Sequence, residues 1–314
     1  MTKRLLLCSV VLVLSSALAL GATEEDISAA LSLFPESQDV AVAYSDAGQA
    51  SLEFAIGILE EALGVDVLFD RASEEAYMAL EIDPANKAWA NALSQAYYTL
   101  GDVFLKDNDA KKLAFVRGQF WGLASLRSSA AFATEEVQHG FIEAVKQETD
   151  VAALFWTYGN WTRKDEFDLL GAVFRNDPPK LLALIERCLE LDESFMDYAA
   201  YRALAAFWGG LPPLPLMQFG QNLPRALSYI CPVLNEPSTC NVCADCPVSD
   251  DVDDYFENRL IFAEYYLMEM ELWDEAARVL QSILDDSIGE RYALYNNHCV
   301  SLAAELLQTV TEHL

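Results

Sequence analysis

Basic side chains are scarce in this sequence. Twenty Lys and Arg stand against 49 Asp and Glu over 314 residues, a formal net charge of −29. So acidic a surface repels a phosphate backbone and an anionic membrane alike, which argues against nucleic-acid and membrane-surface binding. Histidine is scarcer still: His139, His298 and His313 are the three in the chain, and none has a sequence-near acid or thiol partner in a catalytic motif. There is no G-x-S-x-G elbow, no Walker loop, no G-x-G-x-x-G turn and no H-E-x-x-H pair. With 49 carboxylates, pairs of Asp and Glu arise by chance and carry no hydrolase signal. Neither an enzyme nor a cofactor is expected.

Apolar residues, at 53% of the chain, are plentiful enough to exclude disorder and to build a sizeable core. At the N-terminus, Lys3 and Arg4 precede an uncharged stretch from Leu5 to Leu20, with the small residues Ala17, Ala19, Gly21 and Ala22 at its end. This is the build of a secretory signal peptide. The stretch falls short of the roughly 20 residues that a membrane span needs. Glu24-Glu25-Asp26 follows it in place of a stop-transfer pattern. The expected organisation is a signal peptide over 1–22, cut near Ala19 or Ala22, then one all-α domain over 23–314, exported to the periplasm. An uncleaved signal anchor is the alternative. Cys8 starts the apolar stretch behind bulky Leu7, a poor setting for lipid attachment.

Beyond that segment, apolar residues recur at helical spacing, as in Leu52, Phe54, Ile56, Ile58, Leu59 and Leu63, or Leu181, Leu184, Ile185, Leu189 and Leu191. Alternating strand patterns are scarce. Pro84, Pro178-Pro179, Pro212-Pro213, Pro215 and Pro224 fall between periodic segments or at their starts, and Asp177 before Pro178 reads as an N-cap. Helices are predicted over 46–64, 69–81, 86–104, 108–128, 134–145, 149–163, 177–191, 195–208, 223–230, 254–270, 273–285 and 289–312. Ala76 to Pro84 is echoed by Leu184 to Asp192, each before another helix. The helix after the first copy carries Ala88, Ala90, Ala92, Tyr97, Tyr98, Leu100 and Gly101, the small and aromatic positions of a tetratricopeptide unit. Tyr265 to Leu284 reads as a third such pair, so the expected fold is an all-α array of degenerate tetratricopeptide repeats, with an ordinary helical bundle as the alternative.

Four segments and their order resemble one family. They are Asp83-Pro84-Ala85-Asn86 with the Ala/Tyr helix, Arg117-Gly118-Gln119-Phe120-Trp121-Gly122-Leu123, Ala152 to Trp161, and Gly209-Gly210-Leu211-Pro212-Pro213 leading to Asn222-Leu223-Pro224-Arg225. The family is the T-component of tripartite ATP-independent periplasmic (TRAP) transporters, and Tyr292 to Leu307 looks like its closing helix. Phe219-Gly220-Gln221 stands where the family usually has a Gly-Gly pair, and the insertion from Cys231 to Asp254 departs from it. The resemblance implies a trimeric partner of a periplasmic solute-binding protein, with apolar clefts through its protomers, that relays a small hydrophobic or organic solute without covalent chemistry. A periplasmic repeat scaffold for envelope assembly, lacking a small-molecule site, is the alternative.

Phe155, Tyr158 and Trp161 follow one another at three-residue steps on one helical face, with Trp156 beside them. With Phe207 and Trp208 they are the candidates for an apolar ligand channel, and simple core packing is the competing explanation. Leu211, Pro212, Pro213 and Leu214 form a stiff apolar loop suited to a partner surface. Cys231, Cys240, Cys243 and Cys246 contain a C-x2-C-x2-C run, but Asp250 stands where a ferredoxin would have its next Cys. In an exported chain these are disulfide candidates whose pairing the sequence leaves open. Cys188 and Cys299 lie on apolar faces, as buried thiols or a long-range bridge. Asp250, Asp251, Asp253 and Asp254 lack EF-hand spacing, so no metal is expected there. Asn160-Trp161-Thr162 fits a glycosylation sequon but falls inside a predicted helix.

Overall fold

Helix starts follow the local chemistry of the cap. Thr23 accepts from the Asp26 amide while Asp26 reaches back to the Thr23 amide, a reciprocal box that starts α1 (Glu24–Leu31). Ser45 caps α2 (Asp46–Ala62), Asp107 caps α4 (Asn108–Ser128), Ser129 caps α5 (Ala130–His139) and Asp150 caps α7 (Val151–Glu166). Between them, α3 (Lys87–Thr99) runs on into a π-helical turn at Leu100–Phe104, and α6 (Phe141–Val145) follows α5. The rest of the chain forms α8 (Leu169–Phe174), α9 (Pro178–Leu191), α10 (Phe195–Gly210), α11 (Leu223–Ile230), α12 (Glu257–Phe262) with a π-helical turn at Ala263–Met268, α13 (Trp273–Asp285) and α14 (Ala293–Thr311). This computed structural model describes residues 22–35, 38–64, 82–213, 219–234 and 254–314. Among them no strand occurs, and the chain is all-α. No described helix is long and apolar enough to cross a membrane.

The central packing unit is α4 held between α3 and α7. Gly118 and Gly122, one turn apart on α4, permit the approach: a Cβ on Gly118 would fall 2.0 Å from Asn160 Oδ1, and one on Gly122 2.3 Å from Thr157 Oγ1. The buried Asn160 amide donates to Ser94 O and Trp156 O at 2.9 Å each, and Ser94 Oγ donates to Gly118 O at 2.8 Å. One polar knot thus ties three helices, and it buries the side chain that a glycan would need. Around this unit, Leu52, Leu59, Leu93 and Trp121 form one apolar core. Leu154, Leu184, Ile185 and Leu204 form a second, and Phe262, Val279, Leu280 and Cys299 a third.

Several boundaries differ from the predicted ones. The segment 134–145 is broken at Gly140, whose φ of +90° only glycine adopts readily. Asp177 occupies the N-cap position of α9 without a capping bond. Its carboxylate instead accepts from Arg175 Nε at 2.8 Å and Lys180 Nζ at 3.1 Å, stronger charged partners than a backbone amide. The short helices α1 and α8 were not anticipated. The helix predicted over 69–81, and with it most of the first repeat copy, lies outside the described residues, as do residues 1–21 and Cys240, Cys243, Cys246 and Leu214. Cys188 and Cys299 are buried free thiols, and Cys188 Sγ lies 3.8 Å from Val151 O. Cys231 is buried at the end of α11.

Candidate functional site

The aromatic run on α7 has its two faces in different surroundings. Phe155, Trp156 and Tyr158 line a chamber of about 90 Å³ between α7 and α10, together with Tyr98 of α3, Tyr255, Glu257 and Ile261 at α12, Tyr265, and Tyr295 of α14. Space of that size holds roughly six to nine water-sized spheres, the scale of a small organic molecule. Trp161 points elsewhere and packs edge-on against Phe141 at 5.6 Å, with Lys164 and Lys180 over its ring. Phe207 and Trp208 also belong to the core, where Trp208 stacks with Phe219 and carries Arg225 4.0 Å above its ring. Leu211 and Pro212 are half-buried and Pro213 is exposed in the loop after α10.

Aromatic packing gives the chamber its walls. The Trp156 ring lies 5.6 Å from Tyr98 and 5.0 Å from Phe155, which meets Phe195 at 5.5 Å. Burial holds the Tyr98, Tyr255 and Tyr295 hydroxyls far above their ordinary pKa, so all three are neutral. Tyr295 is 4% exposed, and its buried hydroxyl has the Thr99 hydroxyl as its polar neighbour.

Two guanidiniums face this space. Arg163 pairs with Asp102 at 3.0 Å and Glu166 at 3.2 Å. Behind it, His298 Nε2 lies 4.0 Å from Asp102, and burial lowers the His298 pKa despite that neighbour, leaving a neutral ring at pH 7. Arg202 is buried and donates to Glu257 at 2.9 Å, Asn258 Oδ1 at 3.1 Å and Met196 O at 2.8 Å, with a further bond to Asp197 O. Its plane also sits 4.2 Å from the centre of the Tyr255 ring. Glu264, on the turn after α12, is half-buried, and burial raises its pKa first, opposed by Arg163 and reinforced by Glu166 and Asp102.

The Arg202 bonds explain an unusual piece of backbone. Met196, Asp197 and Tyr198, at the start of α10, take φ values of 48°, 53° and 62°, a left-handed turn of three non-glycine residues. Such a turn costs about 1–2 kcal/mol per residue. Two of the three carbonyls end on the Arg202 guanidinium, which converts a strained turn into a satisfied one. The same turn forms part of a partition. On its far side a larger cleft, about 570 Å³, is lined by Leu31, Phe34, Ala88, Asn91, Gln95, Asp150, Asp192 and Phe195. Trp156 and Met196 line both spaces.

Arg163, Arg202, the opposed carboxylates and the tyrosines after Asp254 escaped the sequence reading. One signal was available: Arg202 is the lone charge in an otherwise apolar and aromatic stretch from Tyr198 to Trp208. A charge in that setting needs buried partners.

Residues 76–215, which contribute Tyr98, the α7 wall and the α10 wall, match the family described as the TRAP transporter T-component. No match exists among curated proteins.

Proposed function

We propose that this chain, whose residues 76–215 match the TRAP transporter T-component family, is an accessory component of TRAP transport that docks the transporter's solute-binding protein and holds a small organic solute in the inner chamber. Transfer then works by different affinities in the docked and undocked states, and no covalent bond is made or broken. The observation that carries this reading is the aromatic-walled chamber on α3, α7 and α10, the helices inside the matched segment. The outer cleft, which shares Trp156 and Met196 with the chamber, supplies the route by which a solute reaches it.

Several features belong to the same proposal. The N-terminal segment acts as an export signal cut near Ala22, placing a single domain in the periplasm, where it assembles as a trimer of repeat-like helix pairs. The loop at Leu211 to Leu214 meets the partner, and the insertion from Cys231 to Asp254 is stapled by disulfides. With a net charge of −29, the chain docks onto a basic face of the solute-binding protein, and association weakens with salt. Native mass spectrometry of the protein, with and without a candidate TRAP solute-binding protein, tests the proposal. The expected outcome is a trimer that binds the partner, with a small-molecule adduct. A ligand-free monomer indifferent to the partner would refute the proposal.

A further inference from the structure

Glu166 and Glu257 line the inner chamber together with Arg163 and Arg202, and two further carboxylates, Asp102 and Glu264, stand behind the wall near Arg163, so carboxylates outnumber guanidiniums on that side. Both guanidiniums are already committed, Arg163 to Asp102 and Glu166, and Arg202 to Glu257 and to backbone carbonyls. Glu264 has no ion-pair partner among the described residues, although it lies within electrostatic reach of Arg163, Glu166 and Asp102. An entering carboxylate would therefore have to displace Asp102 or Glu166 from Arg163 and would add negative charge to a negative site.

A cation meets the opposite situation. Tyr98, Trp156 and Tyr295 line the space with aromatic rings, whose faces attract cations. The Tyr295 hydroxyl, buried at the chamber wall, can donate to Thr99 and still accept from an N–H group. Building on the proposed solute-binding role of this chamber, we infer that it selects a small amine-bearing organic cation over a carboxylate, because a surplus of carboxylates in and behind its wall, aromatic rings and a buried acceptor hydroxyl meet at one space whose own cations are occupied.

Isothermal titration calorimetry on the full chain, with benzylamine, benzyl alcohol and benzoate as probes of similar size and different charge, tests this. Benzylamine is expected to bind about tenfold or more tightly than either of the other two. Glu264→Gln, at a half-buried and unpaired position, should shrink the ratio of benzylamine to benzyl alcohol affinity several-fold. Glu166→Gln should shift the ratio in the same direction, and Tyr295→Phe should weaken benzylamine most. Benzoate binding as tightly as benzylamine, or a ratio that neither Glu variant moves, would overturn the cation assignment while leaving the chamber as a solute site. Failure of all three probes to bind at millimolar concentration would overturn both.

Discussion

The two spaces that meet at Trp156 and Met196 are built on opposite plans. The outer cleft is the larger, about 570 Å³, and ten of its fifteen lining residues are apolar, with Asn91, Gln95, Thr149, Asp150 and Asp192 as its polar groups. The inner chamber is about 90 Å³ and is ringed by charge pairs whose members come from helices far apart in sequence, Arg163 with Asp102 and Arg202 with Glu257. Size alone would favour the cleft as the binding site. Chemistry favours the chamber, because buried charge pairs and aromatic rings discriminate between ligands more strongly than size does. The contrast also separates what stabilises each wall: side-chain packing in the cleft, and a buried electrostatic arrangement in the chamber.

The largest test of that contrast is Arg202→Met. The substitution keeps the bulk but strands the Glu257 carboxylate and the Met196 and Asp197 carbonyls, a loss of about 3–5 kcal/mol of folding stability in denaturant unfolding. In the cleft, Asn91→Ala removes bonds to Asp150 and Ser125 at a part-exposed site, with a cost near 1 kcal/mol. Equal losses from the two variants would mean that the chamber has no special dependence on charge.

A second test uses pH. Asp39 accepts from the Tyr295 backbone amide at 3.1 Å, so it supports the chamber wall from outside. Burial raises its carboxyl to about 7, with Glu257 adding to the rise and Arg202 opposing it. In an unfolded chain the same group titrates near 4. Between about pH 4 and pH 7 the folded state therefore keeps a proton that the unfolded state has released. Stability from this group falls as pH rises through that window and levels off above about 7, by at most ~4 kcal/mol. Asp39→Asn, which imitates the protonated form, should be more stable relative to the parent at pH 8 than at pH 5. Unfolding curves whose difference stays constant across those pH values would contradict the assignment.

Which of these features the sequence makes visible depends on how local their causes are. The helices at 108–128, 223–230 and 273–285 are predicted with the bounds found, because apolar spacing and nearby cap or Pro residues specify them within one segment. Phe155, Trp156 and Tyr158 stand out by the same spacing, but so do Trp161, Phe207 and Trp208, which pack in the core. A periodic aromatic stripe shows that a face is buried, and only tertiary packing decides whether space remains beside it. The opposite wall, Tyr255, Tyr265 and Tyr295, comes from residues well over 50 positions further along the chain, with no local mark of convergence. The left-handed turn is hidden for a related reason. Nothing in Met196-Asp197-Tyr198 disfavours an ordinary helix, and the groups that satisfy the turn are Arg202 and, through it, Glu257.

That turn leads to the smallest and sharpest comparison. Glu271 also has a left-handed backbone, with φ 56°, but it is exposed after the π-helical turn and packs against nothing that needs its side chain. Glu271→Gly should raise stability by up to about 1 kcal/mol, since glycine removes the steric cost while little packing is lost. Met196→Gly relieves the same kind of strain but deletes a side chain that is 4% exposed and forms the partition, so it should be destabilising by about 2–5 kcal/mol. Opposite signs in thermal or denaturant unfolding would show that the chamber's strained backbone is kept for the side chain it positions. If Met196→Gly were instead as stabilising as Glu271→Gly, the left-handed turn would have no role in separating the two spaces.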